Sequence, residues 1–306
     1  MIGMMRLKKI YDYMIIGGGV AGAVCGKLLS ESGAECLIIE KEDAPFEKIC
    51  GGWMPYKCLQ LLRTSGYCIE SLTEASTAVT NGVYVSRNGY ETHFPYRNGE
   101  FGIGLRRKLL HSYLIEEAIK ARCTVKYSCC ADNITQIRDM YCVNDHLAHK
   151  VIMAIGTGKA GNLKGRHLTK GQSIGISEII RADTYLKKDH VYFWYPDQSN
   201  NYFWAIPIER DVWNIGWWTQ SNENVKNNFQ LNRSRYIEQY FLDITTIRKA
   251  IGALCGNTDH RKWFDSKIYG IGDFAGCNSF ETGEGIYNAI LSAKQLAEKL
   301  IKKGEN

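Results

Sequence analysis

The chain has 306 residues and no run of ~18 uninterrupted apolar ones, so no membrane-spanning helix is expected. Its 11 cysteines are an odd number without a C-x-x-C pair, in a chain long enough to bury a core without disulfide staples. Reduced thiols and a cytoplasmic location follow. Cys129 and Cys130 lie in a stretch that alternates like a strand, which favours packing residues over a redox pair. His146 and His149 sit in a turn-like stretch with no cysteine or carboxylate cluster, which counts against a metal centre. No basic run carries interleaved aromatics, and the net charge of +6 is spread out except for Lys302 and Lys303 at the end of the last helix. Nucleic acid is therefore not an expected partner, and nothing argues for membrane association. The basic MIGMMRLKKIYD runs into a glycine motif rather than a leader, so no signal peptide is expected. Repeats, low-complexity tracts and flexible linkers are absent too. What remains, 45% hydrophobic and 23% charged residues, is ordinary for a globular enzyme, with length for about two domains.

Against these absences one segment stands out. In DYMIIGGGVAGAVCGKLLSESGAECLIIE an apolar run stops at Gly17, glycines recur at Gly19 and Gly22, an Ala-rich helix follows, and a second apolar run ends in Glu40. This is a βαβ unit with a dinucleotide fingerprint. Gly17 permits the turn out of the strand, Gly19 lets backbone approach a pyrophosphate, and Gly22 brings the helix close to the sheet. Phosphates meet unpaired N–H groups at the positive end of the helix dipole. Glu40, 23 residues after Gly17, can accept hydrogen bonds from a ribose.

Farther on, a loop, APFEKICGGWMP, leads to a short helix ending at Gly66, and 79–95 reads as a hairpin with Asn88-Gly89 at its turn. Leu109, Leu110, Leu114, Ile115, Ala118 and Ile119 recur at helical spacing and predict a core-facing helix over 107–121. Strands are expected at 124–130, 134–137, 141–143 and 150–155, and the aromatic 171–218 block reads as an antiparallel sheet. The polar 229–255 stretch is expected to be helical. A strand ending in Gly272-Asp273 and a long helix from about Thr282 to Lys302 close the pattern. The expected fold is α/β: a split Rossmann-like domain with a parallel central sheet (10–78, 100–170 and 266–303), and an inserted β-rich substrate domain with an antiparallel sheet (79–99 and 171–265).

The fingerprint, KICGG, an Arg before a helix, YFWAIP, Gly272-Asp273 and TGEGI occur in one colinear order. In that order the chain resembles the geranylgeranyl reductase family of FAD-dependent oxidoreductases, within the p-hydroxybenzoate-hydroxylase-like flavoproteins, as a short member. The resemblance implies FAD held by Gly17, Gly19, Val20, Ala21, Gly22, Glu40 and Lys41, by Arg107 rather than Arg106, and by Gly156 in a contacting loop. Gly272, Asp273, Gly283, Gly285 and Ile286 would complete the site. It also implies that Cys50, Gly51 and Gly52 lie against the flavin, and that Tyr202 and Trp204 line a substrate cavity. The residues agree: paired glycines admit a flat ring, a thiol beside them can donate a proton, and aromatics two apart on a strand share one face. Packing is the alternative for Cys50, Tyr202 and Trp204. Trp53, Trp213, Trp217 and Trp218 are lesser candidates for the same wall.

Departures accompany the match. Ile155 stands where many relatives carry an acid, which puts direct NADPH use in the hydroxylases' manner in doubt. YFWAIP also approaches the W-x-W-x-I-P of flavin-dependent halogenases, whose tunnel lysine would have Lys57 as nearest candidate, although the Cys-Gly-Gly loop argues against that reading. The leading expectation is reduction, or reverse desaturation, of a C=C bond in a small or carrier-bound apolar substrate by hydride transfer through flavin N5, with Cys50 or a tyrosine supplying a proton. The alternatives are oxygen chemistry (a monooxygenase or halogenase) and a non-catalytic FAD-binding paralogue. A small-molecule substrate and an external electron donor, NAD(P)H or a redox protein, are the expected partners.

Overall fold

In the computed structural model, which describes residues 9–43, 46–75, 78–157, 173–220, 224–254, 267–277 and 285–304, the first apolar run forms β1 (Ile10–Ile16). The glycine turn leads into α1 (Val20–Glu31), and the second run forms β2 (Cys36–Ile39), all four residues buried. β1 and β2 are parallel, with Ile16 opposite Ile39. Next come β3 (Trp53–Met54), α2 (Tyr56–Arg63), α3 (Ile69–Ala75), β4 (Ala78–Thr80), β5 (Gly82–Arg87), β6 (Tyr90–Pro95) and β7 (Gly102–Gly104). Asn88, φ 55°, and Gly89, φ 80°, make the β5–β6 turn, the left-handed pair that matches strand twist. α4 (Arg107–Lys120) precedes β8 (Thr124–Lys126), β9 (Thr135–Ile137), β10 (Met140–Val143) and β11 (His146–Met153). β12 (Ser173–Thr184), β13 (His190–Tyr195), β14 (Tyr202–Glu209) and β15 (Val212–Thr219) follow, then α5 (Val225–Tyr240), β16 (Phe241–Leu254), β17 (Ile268–Gly270) and α6 (Ile286–Gly304).

The strands make three sheets. The first runs β8-β2-β1-β11-β10-β9 with β17 also on β11; β8, β2, β1, β11 and β17 are mutually parallel, β10 is antiparallel to β11, and β9 is antiparallel to β10. Parallel strands need covering on both faces. α1 and α6 pack on one side with Ile15, Ile38 and Ile152, while Met14, Leu37 and Val151 point into a second cluster. The second sheet runs β16-β12-β15-β14-β13-β5-β6, antiparallel except for β13 beside β5. Its strands alternate: Phe203, Ala205, Trp213, Ile215 and Trp217 pack with α5, whereas Tyr202, Trp204, Ile206 and Trp218 face the other way. β3, β7 and β4 form a small third sheet.

The structure differs from the sequence expectation in several places. Only the first half of 229–255 is helical; the rest is β16, laddered along β12. Its β-branched Ile244, Thr245, Thr246 and Ile247 suit a pleated strand. His146 and His149 lie in β11, not in a turn. Leu109 and Ile119 are 38% and 49% exposed, because α4 buries only the stripe through Leu110, Leu114 and Ala118. α3 had no sequence counterpart. No helix among the described residues is long and apolar enough to cross a membrane.

Candidate functional site

Strand ends and glycines build the site. At the carboxyl end of β1 the chain turns through Gly17, φ 107°, where a Cβ would stand 2.5 Å from the Ala154 carbonyl oxygen. A Cβ on Gly22 would lie 1.9 Å from the Gly17 oxygen, so only glycine lets α1 start this close to the turn. Gly19, by contrast, faces open space. Glu40, 4% exposed, accepts the Gly18 N–H through Oε2 (2.7 Å) and the Glu42 N–H through Oε1 (3.0 Å). The carboxylate thus braces the glycine turn and keeps further lone pairs for a ligand hydroxyl.

The turn opens on a cavity of 490 Å³ between the carboxyl ends of the parallel strands and the outward-alternating face of the second sheet. Ligands bind at such strand ends in open α/β sheets. Of the residues singled out in the sequence, Gly17, Gly19, Val20, Ala21, Glu40 and Lys41 line its first end. Gly156, Gly272, Asp273, Gly285 and Ile286 line the adjoining wall. Arg107, Cys50 and Gly51 come from the other side, and Tyr202 and Trp204 close the far end. Gly22 and Gly52 act behind the lining: Gly52, φ 79°, has no space for a Cβ beside the Leu105 oxygen at 2.5 Å. Gly283, and Thr282 to Glu284 with it, lie outside the described residues.

Charge is placed at particular points. Asp273 sits in a short turn (Gly272–Ala275), which the Ser292 hydroxyl ties to α6 by accepting the Gly272 N–H at 3.0 Å. Lys48 reaches Asp273 at 3.0 Å. Arg106 pairs with Glu209, away from the cavity, while Arg107 is buried and contacts His111 Nε2 at 2.9 Å. The Arg107 Nε has no hydrogen-bond partner among the described residues. Burial and the Arg107 charge push the His111 pKa down to about 3, so the ring is neutral: Nδ1–H donates to the Phe46 carbonyl (3.0 Å) and Nε2 accepts from Arg107.

The aromatic end has a definite geometry. Tyr202 stacks on Trp218 at 5.2 Å, and Trp204 lies across Gly216, where a Cβ would be 2.1 Å from its ring. Trp218 lines the cavity; Trp213 and Trp217 point to the opposite face, because odd positions of β15 face α5. Trp53 packs with the Trp204 cluster but does not line the cavity, and Lys57 is exposed on α2 over the Tyr287 ring. Lys48, His111 and Asn214 were not singled out from sequence. Asn214 left a signal, a lone amide within the apolar VWNIGWW.

The residues present fit a dinucleotide with a flat ring system: an open approach at Gly19, an acid at the second strand end, a buried arginine whose Nε is unpartnered among the described residues, and a glycine-paired loop facing aromatics. Comparisons with known proteins give the same class. The family described as FAD binding domain (FAD_binding_3) matches residues 11–140. The chain is 25% identical to conditioned medium factor receptor 1 of Dictyostelium discoideum over 96% of its own length and 64% of that protein's. It is 24% identical to a digeranylgeranylglycerophospholipid reductase of Methanosphaerula palustris, over 98% of this chain and 79% of the relative. The chain therefore spans somewhat under two thirds of the first relative and more of the second. In fold it superposes on a geranylgeranyl bacteriochlorophyll reductase-like protein from Thermoplasma acidophilum with a TM-score of 0.82 at 19% identity, covering 97% of this chain and 79% of the other. A flavin-dependent brominase gives 0.81 at 18% identity, with coverages of 96% and 79%.

Proposed function

We propose that this chain is an FAD-dependent oxidoreductase of the geranylgeranyl reductase type, and that it reduces, or in reverse desaturates, a C=C bond in a small or carrier-bound apolar substrate. One observation carries the reading: the Cys50 loop and the Tyr202/Trp204 face border the same cavity as the fingerprint and Asp273. Bound FAD supplies a hydride donor or acceptor at N5. The chain's residues do the rest. The Gly17–Gly22 turn and the α1 N-terminus hold the pyrophosphate, Glu40 takes the ribose hydroxyls, and Arg107 offers a cation. Gly51 and Gly52 let backbone lie flat beside a ring, and the Cys50 thiol provides the proton for the second carbon. Tyr202 and Trp204 seat the apolar part of the substrate and exclude water from it. In this reading 10–78, 100–170 and 266–303 serve FAD, and 79–99 with 171–265 serve the substrate.

The test is anaerobic. FAD-loaded protein, reduced chemically, is mixed with apolar compounds carrying a C=C bond; reoxidation with formation of the saturated product is expected. Cys50→Ala should keep FAD and lose about a hundredfold or more in turnover, the usual size of a general-acid effect. Unchanged turnover would remove the thiol from the mechanism. Oxygen chemistry is the second reading, favoured by a lysine, Lys48, that lines the same cavity as Tyr202 and Trp204. It wins if product forms only with oxygen present. Flavin that is reduced yet never reoxidised by any substrate would leave the non-catalytic reading.

A further inference from the structure

A buried amide ties the Cys50 loop to the aromatic sheet. Asn214, 5% exposed in β15, accepts the Trp204 indole N–H (3.0 Å) and the Ser177 hydroxyl (3.0 Å) through Oδ1, and its Nδ2 donates to the Cys50 carbonyl at 2.8 Å. Two donors on one side and a carbonyl on the other allow one orientation of the amide, since a flip sets N–H against N–H and oxygen against oxygen. Aspartate offers the acceptors without the donor, and leucine offers neither. Beside the amide is a cavity of 20 Å³, room for a single water that can meet the second Nδ2 hydrogen. The loop is also pressed down at Gly51, where a Cβ would stand 2.6 Å from Ile206 Cδ1 and 3.5 Å from Trp204 Nε1. Apolar residues fill the neighbouring positions of β15, so a polar network here needs a reason other than burial.

We infer that Asn214 is a positioning residue: it holds the Cys50-Gly51 backbone at one distance from Trp204, so that the flavin-facing loop and the substrate wall keep a single mutual geometry. The inference rests on the reading that the Cys50 loop faces bound FAD. Asn214 acts through Cys50 and Trp204, and through them sets the height of the thiol over the cavity. Because Trp204 shares the Oδ1 acceptor, a ligand that shifts the indole is felt at the loop through one side chain.

The test compares FAD-loaded Asn214→Asp, which keeps the acceptors and sets a carboxylate oxygen against the Cys50 carbonyl in place of the donor, with Ser177→Ala, which removes a bond to the same Oδ1. Alkylation of Cys50 by iodoacetamide is followed by site-resolved mass spectrometry, with exposed Cys68 and Cys130 as internal references. Asn214→Asp is expected to speed Cys50 alkylation about tenfold, the scale of one lost hydrogen bond to a buried carbonyl, and to shift the visible flavin spectrum. Ser177→Ala should leave both near wild type. Wild-type alkylation and spectrum in Asn214→Asp would overturn the inference, as would equal changes in Ser177→Ala. Should Asn214→Asp fail to fold, Asn214→Leu removes the donor and the Oδ1 acceptor together, and wild-type alkylation and spectrum in it would again overturn the inference. Faster alkylation without a spectral shift keeps the loop clamp and refutes the flavin-facing reading instead.

Discussion

Glu40 shows how one side chain serves two purposes. Its oxygens accept the Gly18 and Glu42 N–H groups, so the carboxylate shapes the glycine turn before any ligand arrives. Glu40→Ala should therefore weaken FAD retention roughly tenfold or more, the scale of charged hydrogen bonds, and the flavin-to-protein ratio after gel filtration measures it. An unaltered ratio would contradict the assignment. His111 makes a prediction of another kind. Its pKa is depressed in the folded protein to about 3 from an ordinary 6.5, first by burial and then by the Arg107 charge. The unfolded chain thus binds the extra proton between those values, and the stability that His111 confers is present above pH 6.5 and is lost as pH falls. From pH 7 to pH 5 this group should remove about 2 kcal/mol. Urea denaturation of His111→Gln at both pH values checks it: the variant should start less stable and show a flatter decline.

At the level of elements, what was legible depended on contrast. β1, α1 and β2 could be read because their apolar runs and glycines have no other explanation, and the β5–β6 hairpin because Asn88-Gly89 demands a left-handed turn. β16 could not. It is an edge strand with Leu242, Ile247 and Ile251 exposed and charges between them, so its pattern lacks the alternation of a half-buried strand. Its place comes from the ladder with β12 and from Glu178, fully buried in β12. That carboxylate takes two hydrogen bonds from Arg233 of α5 (3.0 and 3.1 Å) and one from Thr246 of β16 (2.6 Å), with Lys249 at 3.5 Å. Removing the acid leaves the partly buried Arg233 of α5 and the Thr246 hydroxyl of β16 without their shared acceptor. Glu178→Ala should cost about 3 kcal/mol in urea denaturation. FAD retention should be unaffected, because Glu178 does not border the cavity.

Across the whole molecule, the cofactor half of the cavity was readable because phosphate and ribose chemistry restricts residues to glycines, an acid and an arginine at set spacings. The aromatic half was readable only as a face. Which tryptophan of Trp213, Trp217 and Trp218 reaches the cavity depends on β15 register, which local sequence does not carry. The contacts of Lys48 with Asp273, and of Asn214 with Cys50, join residues 225 and 164 positions apart, beyond any local pattern. The same scale governs the electron supply. One dinucleotide fingerprint is complete, and an apolar residue, Ile155, lines the cavity at the position where the family resemblance implies an acid. The net charge of +6 meanwhile favours encounter with an acidic protein. Anaerobic reduction of the bound flavin should therefore be faster with a reduced flavodoxin or ferredoxin than with NADH or NADPH. The rate should fall as ionic strength rises, because screening shortens the reach of the charges that steer the two proteins together. Equal or faster reduction by NADPH, indifferent to salt, would assign the electrons to a transient nicotinamide instead.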